Sequence, residues 1–167
     1  MKSKMNNKSS AKKKIITALC IVGDVILLIG SFFLRDLLLR AGVVEYDNRE
    51  ILQVKNKYSA SLDAIVKEGK ESDFVINSKH GGLFQKSVIT ADEKGKPVYE
   101  KLKDNVDVLC HSYCYTIKSE KGVVTLTFNE SGSKKLIYSE AKPEKKSEKD
   151  ILSDLEENWY YYEEVQE

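Results

Sequence analysis

The chain has 167 residues with 27 basic and 26 acidic side chains, a length that suits one small domain with an appendage. Hydrophobic residues make up 41% and charged residues 32%, which is enough apolar material for most of the chain to fold. Residues 1–14 contain six Lys and no acid, whereas residues 41–167 hold 19 basic and 24 acidic side chains. Because the cationic block is a short arm, the pattern argues against a nucleic-acid-binding domain, and we expect no nucleic acid partner.

Residues 15–34 read IITALCIVGDVILLIGSFFL, in which Asp24 is the only charged residue. A helix of about 20 apolar residues spans the ~30 Å hydrocarbon core of a bilayer. The apolar side chains contribute about −4 to −8 kcal/mol to insertion, which exceeds the cost of about 2.5 to 3.5 kcal/mol for Asp24. We therefore predict a transmembrane helix and juxtamembrane turn at residues 15–40, after a basic cytoplasmic arm at residues 1–14.

The orientation of the predicted helix follows from the charges at its two ends. The apolar run is too long for a cleaved signal peptide, and no small-residue cleavage site follows it. Six Lys precede the run, against Arg35, Arg40 and Arg49 behind it. The positive-inside rule then places the N-terminus in the cytoplasm and the C-terminal domain outside it. We expect a single-pass protein of the cell membrane, with the lipid bilayer as one partner.

One face of the predicted helix carries small and polar residues. This face consists of Thr17, Cys20, Gly23, Asp24, Gly30 and Ser31. Small residues let another helix approach closely, and polar residues hydrogen-bond across such a contact. Because carboxylates within membranes usually face protein, we expect this face to contact another membrane helix, from a second copy or a foreign partner. The alternative is a protonated Asp24 in a lone helix.

The residues beyond the span predict an extracytoplasmic α+β domain at residues 41–140. Apolar residues at spacings of three, four and seven predict an amphipathic helix at residues 44–68, which packs on the sheet or forms a short coiled coil. Short β-rich runs between turn residues predict five or six antiparallel strands at residues 73–139. The predicted fold class is α+β, with one N-terminal transmembrane helix continuing into an amphipathic helix that packs on a small antiparallel β-sheet.

The end of the chain divides into a linker and a tail. Residues 141–149 read AKPEKKSEK and predict a charged linker, and residues 150–167 form an acidic aromatic tail with seven acidic residues. Apolar residues of the tail stand at helical spacing, although WYYYEEV equally suits a last strand. The adjacent aromatic residues Trp159, Tyr160, Tyr161 and Tyr162 suit a partner surface. The alternative is an edge strand that closes the sheet.

The candidate residues for disulfide or metal chemistry are Cys110, Cys114, His80 and His111. If residues 106–117 form one strand, the Cα atoms of Cys110 and Cys114 lie roughly 13 Å apart, whereas a disulfide needs about 4.4 to 6.8 Å. A disulfide therefore requires a hairpin tip or bulge between them. The alternatives are two buried free cysteines, or a metal site with His111 for which no fourth ligand is evident. His80, in the turn KHGG, is expected to be an exposed loop residue.

No phosphate-binding loop, catalytic histidine constellation or cofactor fingerprint is present, so we predict no enzyme activity, cofactor, metal or small-molecule substrate. A basic start, an apolar helix, an amphipathic helix and an antiparallel sheet together resemble the outline of type IV pilin-like proteins. Their processing motif and the Glu at the fifth mature position are missing. We expect a non-enzymatic, membrane-anchored protein with a small extracytoplasmic binding or assembly domain. The alternatives are a structural subunit of a pilin-like or secretion assembly, and an extracytoplasmic enzyme of unknown type.

Overall fold

The fold is taken from a computed structural model of the chain. The residues that it describes are 26–27, 29–35, 38, 45–80, 87–111 and 113–165. The chain divides into two units, Met1–Leu37 and Leu38–Glu167. In the first unit, residues 29–35 are helical and exposed.

The predicted transmembrane helix is contradicted. Within the described part of the chain, none of the helices has the length and apolar character needed to cross a membrane. Residues 15–25 and residue 28 of the predicted span lie outside the described residues. The predicted fold class is therefore wrong in including a transmembrane helix. The predicted orientation and cellular location are not tested and stay predictions.

The second unit is α+β, and its elements run in the following order. The helices are α1 (Asn48–Lys57), α2 (Ser59–Glu71), α3 (Gly95–Lys101) and α4 (Lys103–Cys110). The strands are β1 (Phe74–Lys79), β2 (Val88–Ala91), β3 (Thr116–Glu120), β4 (Val123–Thr127), β5 (Lys134–Tyr138), β6 (Ile151–Asp154) and β7 (Trp159–Glu163).

The amphipathic helix predicted at residues 44–68 is two helices. A capping box starts α1: the Asp47 side chain accepts a hydrogen bond from the Glu50 N–H at 2.8 Å, and the Glu50 side chain accepts one from the Asp47 N–H at 2.9 Å. Tyr58, at φ −116° and ψ 27°, separates α1 from α2. The apolar stripe lies in the core of the unit, because Ile51 and Ile65 are fully buried.

Helices α3 and α4 occupy residues for which strands were predicted. Asp92 Oδ1 accepts hydrogen bonds from the Gly95 N–H at 2.6 Å and from the Val75 N–H at 3.2 Å, which fastens the start of α3 to β1. In α4 the residues Val106, Leu109 and Cys110 are buried at helical spacing. The prediction of strands in this part of residues 73–139 is therefore wrong, because the apolar residues there follow a period of 3.6 rather than 2.

All seven strands of the described residues form one antiparallel sheet in the order β2-β1-β3-β4-β5-β7-β6. One face of the sheet packs into the hydrophobic core. Its fully buried residues include Phe74, Ile76, Ile117, Val124, Leu126 and Leu136. The close contact between helix α2 and this face is made at Gly69, whose carbonyl oxygen accepts a hydrogen bond from Ser119 Oγ at 2.7 Å.

The other face of the sheet, called here the open face, carries mostly polar residues. One row of cross-strand partners on β1, β3, β4, β5 and β7 consists of Asn77, Thr116, Thr127, Lys135 and Tyr162. The next row on the same strands consists of Val75, Lys118, Thr125, Ile137 and Tyr160. Because side chains alternate between faces along a strand, these residues lie opposite the buried ones.

The predicted linker and tail together complete the sheet. Residues 141–150 contain neither helix nor strand and are called here the strap. The tail forms the hairpin of β6 and β7, with β6 at the edge and β7 between β5 and β6. Its turn places Glu157 at φ 63° and Asn158 at φ 65°, the left-handed pair that a tight hairpin turn requires.

Candidate functional site

A groove of about 420 Å³ lies on the open face over strands β3, β4 and β5. Its floor consists of Thr116, Lys118, Thr125, Thr127, Lys135 and Ile137. One wall is formed by strap residues 143–146 with Tyr162 and Glu164, and the other by Tyr115 and the turn between β4 and β5. Sheet register places the floor residues side by side, so the groove is a consequence of the fold rather than of one loop.

Asp150 fastens the strap to the sheet. The Tyr162 hydroxyl donates a hydrogen bond to Asp150 Oδ2 at 2.6 Å and accepts one from the Lys146 N–H at 3.1 Å. The N–H groups of Ser147 and Val165 donate to the two Asp150 oxygens at 3.0 and 3.2 Å. The Tyr162 hydrogen bond, together with these backbone bonds, lowers the pKa of Asp150 below its ordinary value. The strap thus stays over Tyr162, which is 3% exposed although it lies on the open face.

Two lysines share one carboxylate oxygen at the end of the groove. Lys135 Nζ lies 2.5 Å from Glu164 Oε1, and Lys146 Nζ lies 2.8 Å from the same oxygen. The Lys135 ammonium also lies over the Tyr162 ring, 5.5 Å from its centroid. The hydrogen bonds from Lys135 and Lys146 lower the pKa of Glu164, and Glu164 raises the pKa of Lys146. Glu164 and Lys146 are therefore both charged near neutral pH.

The turn between β4 and β5 forms the far wall and is ordered by Asn129. The Asn129 Oδ1 atom accepts a hydrogen bond from the Lys134 N–H at 3.1 Å, and its amide nitrogen donates to Ser133 Oγ at 2.8 Å. Gly132 adopts φ 71°, a conformation that L side chains rarely take. The turn is therefore held by its own hydrogen bonds at the rim of the groove.

The structure places Cys110 and Cys114 at the end of helix α4, where both are buried and free. The Cys114 N–H donates a hydrogen bond to the Leu109 carbonyl oxygen at 2.9 Å, so the extended geometry assumed from the sequence does not apply. Burial raises the pKa of the Cys110 thiol to about 12 and that of the Cys114 thiol well above its ordinary value. Neither thiol has the thiolate character of a reactive cysteine.

The histidines do not form a reactive site with these cysteines. His80 Nε2 lies 3.3 Å from the Cys114 carbonyl oxygen, and its ring lies 4.4 Å from the Tyr115 ring. It is half-buried rather than exposed as predicted, and burial lowers its pKa. Among the described residues, no group of three or more His, Cys, Asp or Glu side chains could hold a metal ion.

The aromatic residues of the tail are divided between the two faces of the sheet, with Trp159 and Tyr161 in the core and Tyr160 and Tyr162 on the open face. Trp159, Tyr161 and Tyr162 are each 3% exposed, and only Tyr160 is partly accessible. The Tyr161 hydroxyl lies 2.5 Å from Asn48 Oδ1 and 2.8 Å from Glu163 Oε2, so its one proton is donated to either of these acceptors and the contact brings β7 against the start of α1. Three of the four rings are buried because β7 is an inner strand and the strap covers Tyr162, and a partner surface at these residues stays a prediction.

The residues of the predicted helix contact are mostly outside the described residues. Thr17, Cys20, Gly23 and Asp24 are not described. Gly30 and Ser31 are helical and exposed, and a Cβ atom added at Gly30 would meet no other atom within 4 Å. A contact through this face stays a prediction.

Sequence reasoning did not single out the lysines and threonines of the groove. The sequence indicates these residues only through the alternation of polar and apolar residues in β3, β4 and β5. This alternation predicts a solvent-facing side of the sheet, but it does not predict that the strap forms a wall beside that side. Comparison with protein families, curated proteins and solved structures finds no match to this chain. Its function is therefore argued from the chemistry of the groove.

Proposed function

We propose that the α+β unit is a non-catalytic binding domain whose groove holds an extended segment of a partner protein. The observation that carries this proposal is the paired floor of the groove, in which Thr116 faces Thr127 and Lys118 faces Thr125 on neighbouring strands. These side chains offer hydrogen-bond donors and acceptors at the strand spacing of about 4.8 Å. Ile137 and Tyr115 add apolar contact area beside them.

The charged groups of the groove favour binding over catalysis. A general acid or base works best when its pKa lies near the operating pH. The pKa of Glu164 is lowered and that of Lys146 is raised, so both shifts lead away from neutrality. These groups are suited to hold a fixed charge in place rather than to exchange protons with a substrate.

Photo-crosslinking in cells tests the binding role. A photoreactive amino acid at Thr125, on the groove floor, should give a discrete crosslinked product, whereas the same group at the exposed Asn56 of α1 should not. Filling the groove by Thr127→Trp should reduce the product from position 125, and Asn56→Trp should leave it unchanged. Equal products from positions 125 and 56, or a product that Thr127→Trp does not reduce, would contradict the proposal.

The exposed apolar residues of the first unit favour a second, assembly role. The Leu27 and Leu34 side chains, which lie within about 60° of Ser31 around the helix, are 73% and 56% exposed. Contiguous apolar exposure marks interaction surfaces. We propose that this helical segment packs against a helix of another copy or of a partner, with Gly30 and Ser31 in the contact.

Cysteine crosslinking separates this contact from nonspecific association. In a Cys20→Ser background, Ser31→Cys should form crosslinked dimers or a single mixed product with a bismaleimide reagent. Phe33→Cys, about 200° around the helix from position 31, should crosslink much less. Equal crosslinking from both positions would contradict a defined contact face.

A further inference from the structure

The lysine pair at the end of the groove already holds a carboxylate, that of Glu164. Lys135 and Lys146 approach the same oxygen, Oε1, at 2.5 and 2.8 Å. Glu164 stands just after strand β7, and its backbone is fixed by a hydrogen bond from its N–H to the Ser133 carbonyl oxygen at 2.9 Å. Its side chain is 29% exposed, so a rotation about its own bonds takes the carboxylate to solvent.

We infer that Lys135 and Lys146 form a binding site for a carboxylate of an acidic partner peptide, which replaces the Glu164 side chain there. This inference rests on the proposed binding role of the groove and names the chemistry of its ligand. Two ammonium groups face the single Glu164 carboxylate, so a ligand carboxylate that takes its place gains two charge-assisted hydrogen bonds. Glu164 acts as an internal competitor for the same position.

The geometry of the two lysines fits this role. The Lys135 side chain is only 18% exposed and lies against the Tyr162 ring, so its ammonium is held in place and requires a nearby anion. The Lys146 side chain is 73% exposed on the strap and can follow a ligand. A fixed cation beside a mobile one can bind a carboxylate that enters from solvent.

The rest of the groove sets a limit on the charge of the ligand. Lys118 is a third cation on the floor, and Glu120 pairs with it at 2.6 Å. Glu130 and Glu144, both exposed, stand in the walls of the groove. A polyanion would meet these two carboxylates, so the structure favours a peptide with a single carboxylate at the lysine pair over nucleic acid or polyphosphate.

The test is an NMR titration of isotope-labelled full-length protein with the capped peptide Gly-Gly-Glu-Gly-Gly. The Gln counterpart of the peptide and inorganic phosphate serve as comparison ligands. Because a tethered carboxylate competes at an effective concentration of about millimolar, Glu164→Gln should tighten binding of the Glu peptide roughly fivefold or more. Amide shifts should map to Lys135 and Thr127. The matched control Glu140→Gln, which removes an exposed carboxylate paired with Lys70, should bind like the wild type.

Further outcomes decide the inference independently of the proposed function. In the Glu164→Gln background, Lys146→Gln should remove the gain in affinity. Equal affinity in wild type and Glu164→Gln, or absence of shifts at the groove, overturns the inference. Phosphate that saturates the lysine pair while the peptide does not compete also overturns it. If the Glu and Gln peptides bind the groove alike, the carboxylate inference fails but the binding role stands, and crosslinking from Thr125 decides that role separately.

Discussion

The contact between helix α2 and the sheet depends on the absence of a side chain at Gly69. A Cβ atom added there would lie 3.0 Å from Ser119 Oγ and closer still to Val124 Cγ2, well inside van der Waals contact. Val124 is fully buried and Ser119 is 1% exposed, so neither neighbour can move into solvent. Gly69→Ala should therefore force the helix away from the sheet and weaken the hydrogen bond from Ser119 Oγ to the Gly69 carbonyl oxygen.

The expected change in the free energy of unfolding is the difference between a packing cost and a gain in helix propensity. Overpacking in a dense core costs about 1 to 3 kcal/mol. Replacing Gly by Ala within a helix gains up to about 1 kcal/mol from helix propensity. Because Val124 and Ser119 are both buried, the overpacking cost lies in the upper half of that range, and Gly69→Ala should lower the free energy of unfolding by about 1 to 2 kcal/mol. With a urea m-value of about 2 kcal/mol per molar, the midpoint falls by about 0.5 to 1 M.

Urea unfolding followed by fluorescence of Trp159, the only Trp and 3% exposed, measures this change. Val124→Ala removes the clashing methyl group, so Gly69→Ala should cost at least about 1 kcal/mol less in that background. Val123→Ala, on the other face of β4, should not alter the cost of Gly69→Ala. A Gly69→Ala protein as stable as the wild type, or a cost that Val124→Ala leaves unchanged, would refute the reasoning.

Three further predictions concern the strap, the thiols and the first helix of the α+β unit. Because the pKa of Asp150 is lowered on folding, its stabilisation is complete above the ordinary Asp pKa of about 3.9 and is lost as pH falls through the folded value. In Asp150→Asn, the urea midpoint should depend less on pH below about pH 5 than it does in the wild type. The same pH dependence in both proteins would contradict this prediction. In a Cys20→Ser background, Cys110 and Cys114 should react with a thiol reagent about 100-fold more slowly in the native protein than in the urea-unfolded protein. Fast labelling of the native protein would contradict the burial of these thiols. Asp47→Ala should lower the free energy of unfolding by about 1 kcal/mol and Asp47→Ser by only a few tenths, whereas equal losses would exclude a capping role.

The α+β class and the antiparallel sheet follow from local patterns in the sequence. Segments in which polar and apolar residues alternate flank Lys121 and Gly122. These two residues form the tight turn between β3 and β4, with φ angles of 52° and 79°. The same reasoning failed for α3 and α4, where β-branched and aromatic residues such as Val98 and Tyr99 suggested strands. Short helices cannot be separated from strands by residue preference, because packing in the core outweighs a propensity difference of about 1 kcal/mol.

The groove depends on contacts between residues far apart in the sequence. Alternation in β3, β4 and β5 predicts that Lys118, Thr125 and Lys135 lie on one face, yet not that they become neighbours. The strap reads as a charged linker, and its place over the sheet depends on the hydrogen bonds of Asp150 and Tyr162. No periodic pattern encodes such bonds, so the site could not be found before the fold was known.

We propose that the open face of the sheet, rather than the helical face, binds the partner. Lysine footprinting by acetylation, in native cell extract and in purified protein, tests this proposal directly. Lys118, on the groove floor with a side chain 51% exposed, should be acetylated about fivefold or more slowly in extract, while the exposed Lys57 of α1 reacts equally in both. Equal reactivity of Lys118 in the two samples, with protection of Lys57 instead, would contradict the account.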